Sequence, residues 1–296
     1  MSEADTITKN AKSNLAFTLL DLPPEKRMQM AQFYAFCRIV DDIVDEPGMS
    51  AEERHCALNR WADIVTAQTE PQPGIETEVA QLIAKLQLDP APMLELIDGC
   101  RSDISPVQPE TREGLLAYAY KVASCVGITS AKVMGASDRA RQYAIALGYA
   151  LQLVNILRDV ADDCRKYGRF YLPKADMELF GVTHDDIRNQ RYNYRVRQLL
   201  AYEAALAEKF FGEAEEHYQK LPVEDRNALI PAQAMSLIYH NILNKMQDDE
   251  YRIFERRYSV NNFRKLWFLL RARLGTVEFP SIPAISDWSF RKTKKQ

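Results

Sequence analysis

Apolar positions recur at intervals of three and four residues along most of the chain, and no run alternates apolar with polar residues for long enough to make a strand. The pattern predicts helices over about 24–46, 51–69, 76–87, 91–103, 111–134, 138–166, 192–220, 225–255 and 262–273. The punctuation agrees: Pro23 and Pro24 suit the start of the first long helix, and Pro47-Gly48 ends it. Ser137 or Asp138 can cap the central helix, and Gly168 can close it. No long Gly/Ser linker, repeat or low-complexity tract divides the chain. The reading is therefore a single all-α domain over residues 1–296, with about 1–9 and 285–296 as flexible ends.

Two of these helices interrupt their own apolar pattern. Tyr34, Arg38, Asp41 and Asp45 break a stretch containing Phe33, Phe36, Ile39, Val40 and Ile43. Gln152, Asn155, Asp159 and Asp163 break one containing Leu153, Val154, Ile156, Leu157 and Val160. At about 100° per residue, the eleven-residue step across each set returns to within roughly 20° of its start, so each set shares a helix face. A helix apolar on nearly all sides belongs inside a protein, where carboxylates are found paired or bound to metal. Aspartates four residues apart also repel, by about 0.2–0.5 kcal/mol per pair, and a divalent cation reverses that penalty. Both stripes lie near C-terminal helix ends, where the dipole favours cations.

Magnesium fits this donor set, because it prefers oxygen ligands and commonly bridges carboxylates to phosphates. Arg38 and Arg158, three and one residues ahead of an aspartate, can grip phosphate oxygens in bidentate fashion. One D-x-x-x-D alone would read as a solvated face. Two of them, each with an arginine and apolar flanks, describe a diphosphate site.

Charge and composition narrow the field. A net charge of −3 and a pI near 5.9 give no electrostatic footprint for nucleic acid. The five cysteines have no metal-type spacing and, with no signal peptide, read as reduced thiols of a cytoplasmic protein. The four histidines are scattered, so no zinc site or cysteine–histidine nucleophile is visible. Apolar runs look too short for a membrane span, which needs about 20 residues. Asp185-Asp186 and Asp248-Asp249-Glu250 read as solvated charges, and Tyr192 and Tyr194 among Arg191, Arg195 and Arg197 read as an amphipathic surface helix.

The stretch Tyr34-Ala35-Phe36-Cys37-Arg38-Ile39-Val40-Asp41-Asp42-Ile43-Val44-Asp45 resembles the first aspartate-rich motif of the squalene/phytoene synthase family. Gln152-Leu153-Val154-Asn155-Ile156-Leu157-Arg158-Asp159-Val160-Ala161-Asp162-Asp163, followed by Gly168-Arg169-Phe170-Tyr171-Leu172-Pro173, resembles the second. Between them, Tyr118-Ala119-Tyr120-Lys121-Val122-Ala123-Ser124-Cys125-Val126-Gly127 resembles the family's tyrosine-containing segment. The N-terminus departs, reading Lys12-Ser13-Asn14-Leu15-Ala16-Phe17 where relatives often carry a Ser-Phe-Tyr-like stretch.

The resemblance implies an isoprenoid (prenyl) synthase fold, a helical bundle around a central cavity, and magnesium-dependent head-to-head coupling of two allylic diphosphates. It implies Asp41, Asp45, Asn155, Asp159 and Asp163 as magnesium ligands. Tyr34, Arg38, Gln152, Arg158, Tyr239, Arg256 and Phe17 would bind substrate, and Tyr118 would assist proton removal or steer the carbocation. Farnesyl diphosphate and a squalene-type product are preferred over geranylgeranyl diphosphate and phytoene, with dehydrosqualene as another product of the shorter substrate. NADPH is admitted as a reductant, but no motif indicates it. Head-to-tail elongation or cyclisation fits the Asn155–Pro173 segment poorly, and a non-catalytic relative would have lost its aspartates. A monomer is the default expectation. Peripheral membrane contact is expected from the segment Phe263–Arg273, which mixes aromatic and aliphatic residues with four basic ones ahead of a basic tail.

Overall fold

The computed structural model describes residues 18–275 together with Glu3, Ala4 and Thr6. The expectations for Phe17, the flexible ends and the basic tail fall outside these residues. After a 3-10 turn at Leu19–Asp21 come α1 (Pro24–Asp45), α2 (Ala51–Val65), α3 (Ile75–Leu86), α4 (Pro90–Ser102) and α5 (Arg112–Ala119). A π-helical segment, Tyr120–Ser124, leads into α6 (Cys125–Met134), and a 3-10 turn, Asp138–Ala140, into α7 (Arg141–Asp162). A second π segment, Asp163–Tyr167, is followed by α8 (Lys174–Phe180), α9 (His184–Arg188), α10 (Tyr194–Gln219), α11 (Val223–Ala228), α12 (Ile230–Asp248) and α13 (Asn262–Arg273). The described residues contain no strand, as the periodicity predicts.

Local chemistry sets the helix limits. Ser50 accepts from the Glu53 amide at 3.2 Å while Glu53 accepts from the Ser50 amide at 2.7 Å, a reciprocal cap that starts α2. Pro24 and Pro90 occupy first-turn positions, where the missing N–H costs nothing. Gly168 ends the second π segment at φ +66°, a left-handed turn that glycine adopts without steric cost. The predicted 225–255 helix is instead two helices and a loop. Leu229 separates α11 from α12, and positive φ at Glu250 and Tyr251 turns the chain after Asp248. The short α8 and α9 have too few turns to show a period in the sequence.

The central helix is α7, against which α10, α6, the first π segment and α12 pack. Tyr143, Leu147, Leu153, Val154, Ile156 and Leu157 are buried along it. The stretch Asp138–Tyr167 is long and apolar enough to span a membrane by length and composition, which corrects the sequence estimate. Most of it is buried inside the bundle, and it carries the second polar stripe. α1 packs on α2, α3, α4 and α6, with Phe36 edge-on to Trp61 at 5.4 Å. Since both α1 and α7 rest on α6, a gap remains between the two stripes.

Gly148 fixes the spacing of that gap. A Cβ there would sit 2.5 Å from Ser124 Cα and 2.7 Å from Ser124 N, so the first π segment touches α7 backbone to backbone. The Ser124 hydroxyl holds the same crossing by donating to the Ile145 carbonyl at 2.9 Å. The clashing atoms are backbone and cannot rotate away. Gly148→Ala is therefore expected to destabilise the protein by about 1–3 kcal/mol despite alanine's better helix propensity, read as a Tm several degrees lower in thermal denaturation.

Candidate active site

On α1 the apolar face of Phe33, Phe36 and Val40 is sealed in the core, which turns Tyr34, Arg38 and Asp41 toward the gap. Arg38 donates to Asp41 at 2.8 Å and also binds Asp42. Asp41 retains 48% of its side-chain surface and lines the cavity. Burial and the neighbouring Asp45 push its carboxyl up to about 6, against the pull of Arg38. Asp45, one turn on, accepts from Arg169 at 2.6 Å.

On α7, Gln152 and Asn155 face the same cavity, and the Asn155 amide donates to Gln152 Oε1 at 3.4 Å. Asn155 Oδ1 is buried without a hydrogen-bond partner. Asp159 is clamped by two guanidinium groups. Arg158 Nε donates to Oδ1 at 3.0 Å, while Arg257 spans both oxygens at 2.9 and 3.1 Å. Burial would raise the Asp159 carboxyl, yet the hydrogen bonds from Arg158 and Arg257 outweigh it and hold the group below its ordinary value. Asp163 stands where α7 passes into the second π segment, not within one continuous α-helix as the spacing implied. Burial, reinforced by the charges of Asp159, Asp45 and Asp103, pushes its carboxyl up to about 7 against the pull of Arg169.

Between the stripes lies a cluster that sequence reasoning only partly found. Tyr118 donates to Asp103 at 2.7 Å, Tyr171 donates to the other oxygen at 3.1 Å, and their rings stack at 4.9 Å. Burial, then the neighbouring Tyr171 and Asp103, holds the Tyr118 phenol well above its ordinary value. Arg169, 8% exposed, ties this cluster to Asp45 and reaches the Asp103 carbonyl at 3.4 Å. The sequence showed Arg169 and Tyr171 within the second motif without assigning them roles. Asp103, at the exposed-looking end of α4, carried no local signal.

The gap between the stripes is a cavity of about 390 Å³. Its polar end is formed by Tyr34, Arg38, Asp41, Gln152, Asn155 and Tyr239, and its walls by apolar residues such as Met30, Leu96, Val126 and Leu147. Asp45, Arg158, Asp159, Asp163 and Tyr118 lie outside this lining. A hollow of about 420 Å³ between Gln87–Pro92 and Lys132–Arg141 is no smaller, but none of the predicted site residues lines it.

The family model for squalene/phytoene synthase matches residues 8–264. The chain belongs to the squalene/phytoene synthase family. It is 34% identical over 271 residues to phytoene synthase 3, chloroplastic, of Zea mays, covering 88% of this chain and 62% of the maize protein, so it spans less than two thirds of that relative. It is 32% identical over 269 residues to the phytoene synthase of Arthrospira platensis, covering 86% of this chain and 85% of the other. In three dimensions it resembles a dehydrosqualene synthase at TM-score 0.81 and 27% identity, covering 92% of this chain and 95% of that one. It also resembles a squalene synthase of Alicyclobacillus acidocaldarius at 0.74 and 29%, covering 84% and 93%. These matches show the isoprenoid synthase fold and a prenyltransferase family, as the motifs implied.

Arg256, which the resemblance implies as a substrate ligand, is 57% exposed and has its Nε 3.2 Å from Asp249, outside the two polar stripes. The adjacent Arg257 is the one that reaches Asp159. Both lie in the irregular segment after α12, so a one-residue register decides which arginine faces the site.

Two outcomes are expected. Asp41 and Asp163, both raised above the unfolded carboxylate value, make the folded state bind extra protons between about pH 4 and 7, so stability is greatest below that window and falls as pH rises through it. The Tm of metal-free protein should decline across this range, and Asp163→Asn should flatten the decline. Separately, Arg257→Gln frees one face of Asp159. Magnesium chloride titrated alone should then bind several-fold more tightly by calorimetry, whereas unchanged affinity would show that Arg257 does not compete with the cation.

Proposed function

We propose that this protein condenses two allylic prenyl diphosphates head to head, with farnesyl diphosphate as substrate and a squalene-type skeleton as product. The observation that carries this reading is the cavity itself, with apolar walls for prenyl chains and one end formed by Tyr34, Arg38 and Asp41 of α1 facing the amides of Gln152 and Asn155 on α7. Arg38 and Tyr34 from one helix, and Gln152 from the other with Tyr239 behind it, offer donors to diphosphate oxygens. Arg158, held against Asp159 and hydrogen-bonded to Tyr239, adds a second guanidinium once its aspartate is engaged elsewhere.

The donor set suits magnesium: Asp41, Asp45, Asp159, Asp163 and the orphaned Asn155 Oδ1 are all oxygen ligands. Among the described residues, no three carboxylate, histidine or cysteine groups converge on one point, and the aspartates are held by arginines instead. When bound, the metal would neutralise the diphosphate and make it a leaving group. The apolar walls exclude water from the allylic cation that then forms. Tyr118, whose raised phenol stays protonated at neutral pH and whose hydroxyl is committed to Asp103, fits cation steering through its ring and oxygen better than proton removal as a phenolate.

The overlap with a dehydrosqualene synthase and with a squalene synthase supports the fifteen-carbon substrate. A second reading, coupling of two geranylgeranyl diphosphates, draws on the 32–34% identity to phytoene synthases. Mass spectrometry of products from each diphosphate, with magnesium and with or without NADPH, separates the readings and shows whether a reductant is used. Asp41→Ala and Asp159→Ala are each expected to lower turnover by orders of magnitude while the fold is retained. Near-normal turnover in either would remove the site assignment.

A further inference from the structure

The strap that follows Gly168 lies along the segment after α4 and is joined to it contact by contact. Tyr171 reaches Asp103, the Leu172 carbonyl accepts from Gln108 at 2.7 Å, and the Lys174 and Ala175 amides donate to the Pro109 and Glu110 carbonyls at 2.9 and 3.1 Å. The last contact is Arg112 on Asp176, 3.0 Å apart, at the start of α5. Near its other end α5 carries Tyr118, whose ring stacks on Tyr171. One short helix therefore holds the strap with Arg112 and meets its tyrosine with Tyr118.

Behind Arg112 lies a buried acid that no donor reaches. Glu203 of α10 is 1% exposed, and neither carboxyl oxygen receives a hydrogen bond. Arg112 Nη2 lies 3.5 Å from it but donates to the Tyr202 carbonyl, while Nε donates to Asp176. What Glu203 does meet is the Asp176 carboxyl. Two carboxylates in contact repel, whereas a carboxyl and a carboxylate joined by one proton make a short, strong hydrogen bond. Among the described residues no second cation pairs with Glu203. Helix α7 runs antiparallel to α10, Tyr143 against Tyr218 and Tyr149 against Phe210, a register that sets the buried Ile156 and Leu157 beside Glu203. Helix α12 directs His240 to Glu208 instead.

We propose that Glu203 is held as a neutral acid that donates its proton to Asp176, and that this shared proton locks the strap so that Arg169 and Tyr171 are positioned beside Tyr118. Glu203 carries the proton because it is the more deeply buried acid and Asp176 is the one that Arg112 engages directly. Burial and Asp176 push the Glu203 carboxyl up to about 8, in agreement. Above that pH hydroxide takes the proton, two carboxylates face one guanidinium, and the strap is pushed from α10. Glu203 is a positioning residue, outside the cavity lining and acting through the strap. The lock is independent of the chemistry, whereas its effect on turnover rests on the function proposed above.

Carbon-13 labelling of the glutamate carboxyls reads the lock directly in metal-free protein. One resonance should titrate near pH 8, be absent in Glu203→Gln and move to lower pH in Asp176→Asn, where an amide donor replaces the charge. The folded carboxyl binds its proton more tightly than the unfolded one, so the Tm of wild type relative to Glu203→Gln should be highest near pH 4 and fall until about pH 8. With farnesyl diphosphate and magnesium, Glu203→Gln, whose amide still donates to Asp176, should match the wild-type kcat at neutral pH. Near pH 9 it should exceed wild type several-fold in kcat with KM unchanged, and Glu203→Leu should lose kcat at every pH. A Glu203 resonance titrating in the ordinary glutamate range, or one indifferent to Asp176→Asn, overturns the proposal. A kcat ratio constant with pH overturns the positioning role. Absence of turnover in all of these proteins counts against the proposed reaction alone, and the carbon-13 titration still decides the lock.

Discussion

Carboxylates set into an apolar bundle must have cations beside them, and most of the site's architecture answers that requirement. An unpaired buried charge costs several kcal/mol, so the fold brings guanidinium groups to its aspartates: Arg38 to Asp41 and Asp42, Arg169 to Asp45, and Arg158 with Arg257 to Asp159. Where burial, reinforced by like charges, outweighs the cation, as at Asp163, the carboxyl rises toward neutrality instead. On the proposed reading, a divalent ion entering this site would exchange places with arginines that are themselves suited to hold phosphate. The same groups serve the metal-free protein as counter-ions and the proposed reaction as diphosphate ligands.

That exchange needs the two stripes to be held apart, and the packing on α6 and the Gly148 crossing provide this. Farther out, Arg112 keeps the strap after Gly168 in place. It binds Asp176 at 3.0 Å, lies 3.5 Å from Glu203 and stacks 3.7 Å over the Tyr202 ring, drawing α8 and α10 toward α5. With one cation between two acids, Glu203 is pushed up to about 8, first by burial and then by Asp176. The strap in turn presents Arg169 and Tyr171 to the centre.

The loop after α12 joins the site to the surface. It is tied down by Asp249, which binds Tyr258 and Arg256, and by the Glu250–Arg197 pair at 2.8 Å. The acidic run Asp248–Glu250, which reads in the sequence as solvated charge, is thus partly an anchor. The loop carries Arg257 to Asp159 and runs directly into α13.

Helical class, most element limits and both polar stripes were legible in the sequence, because each depends on residues within a few turns of one another. Periodicity reports which side of a helix is buried, and it identified Tyr34, Arg38, Asp41, Gln152 and Asn155, all of which face the cavity. It could not find Asp103, whose partners Tyr118 and Tyr171 lie 15 and 68 residues away, or choose between Arg256 and Arg257. It also carried Asp163 past the point where the α-helix gives way to a π turn. The side-chain pattern of single helices was fixed locally; the arginine assigned to each aspartate and the depth of the cavity arose only when distant segments met.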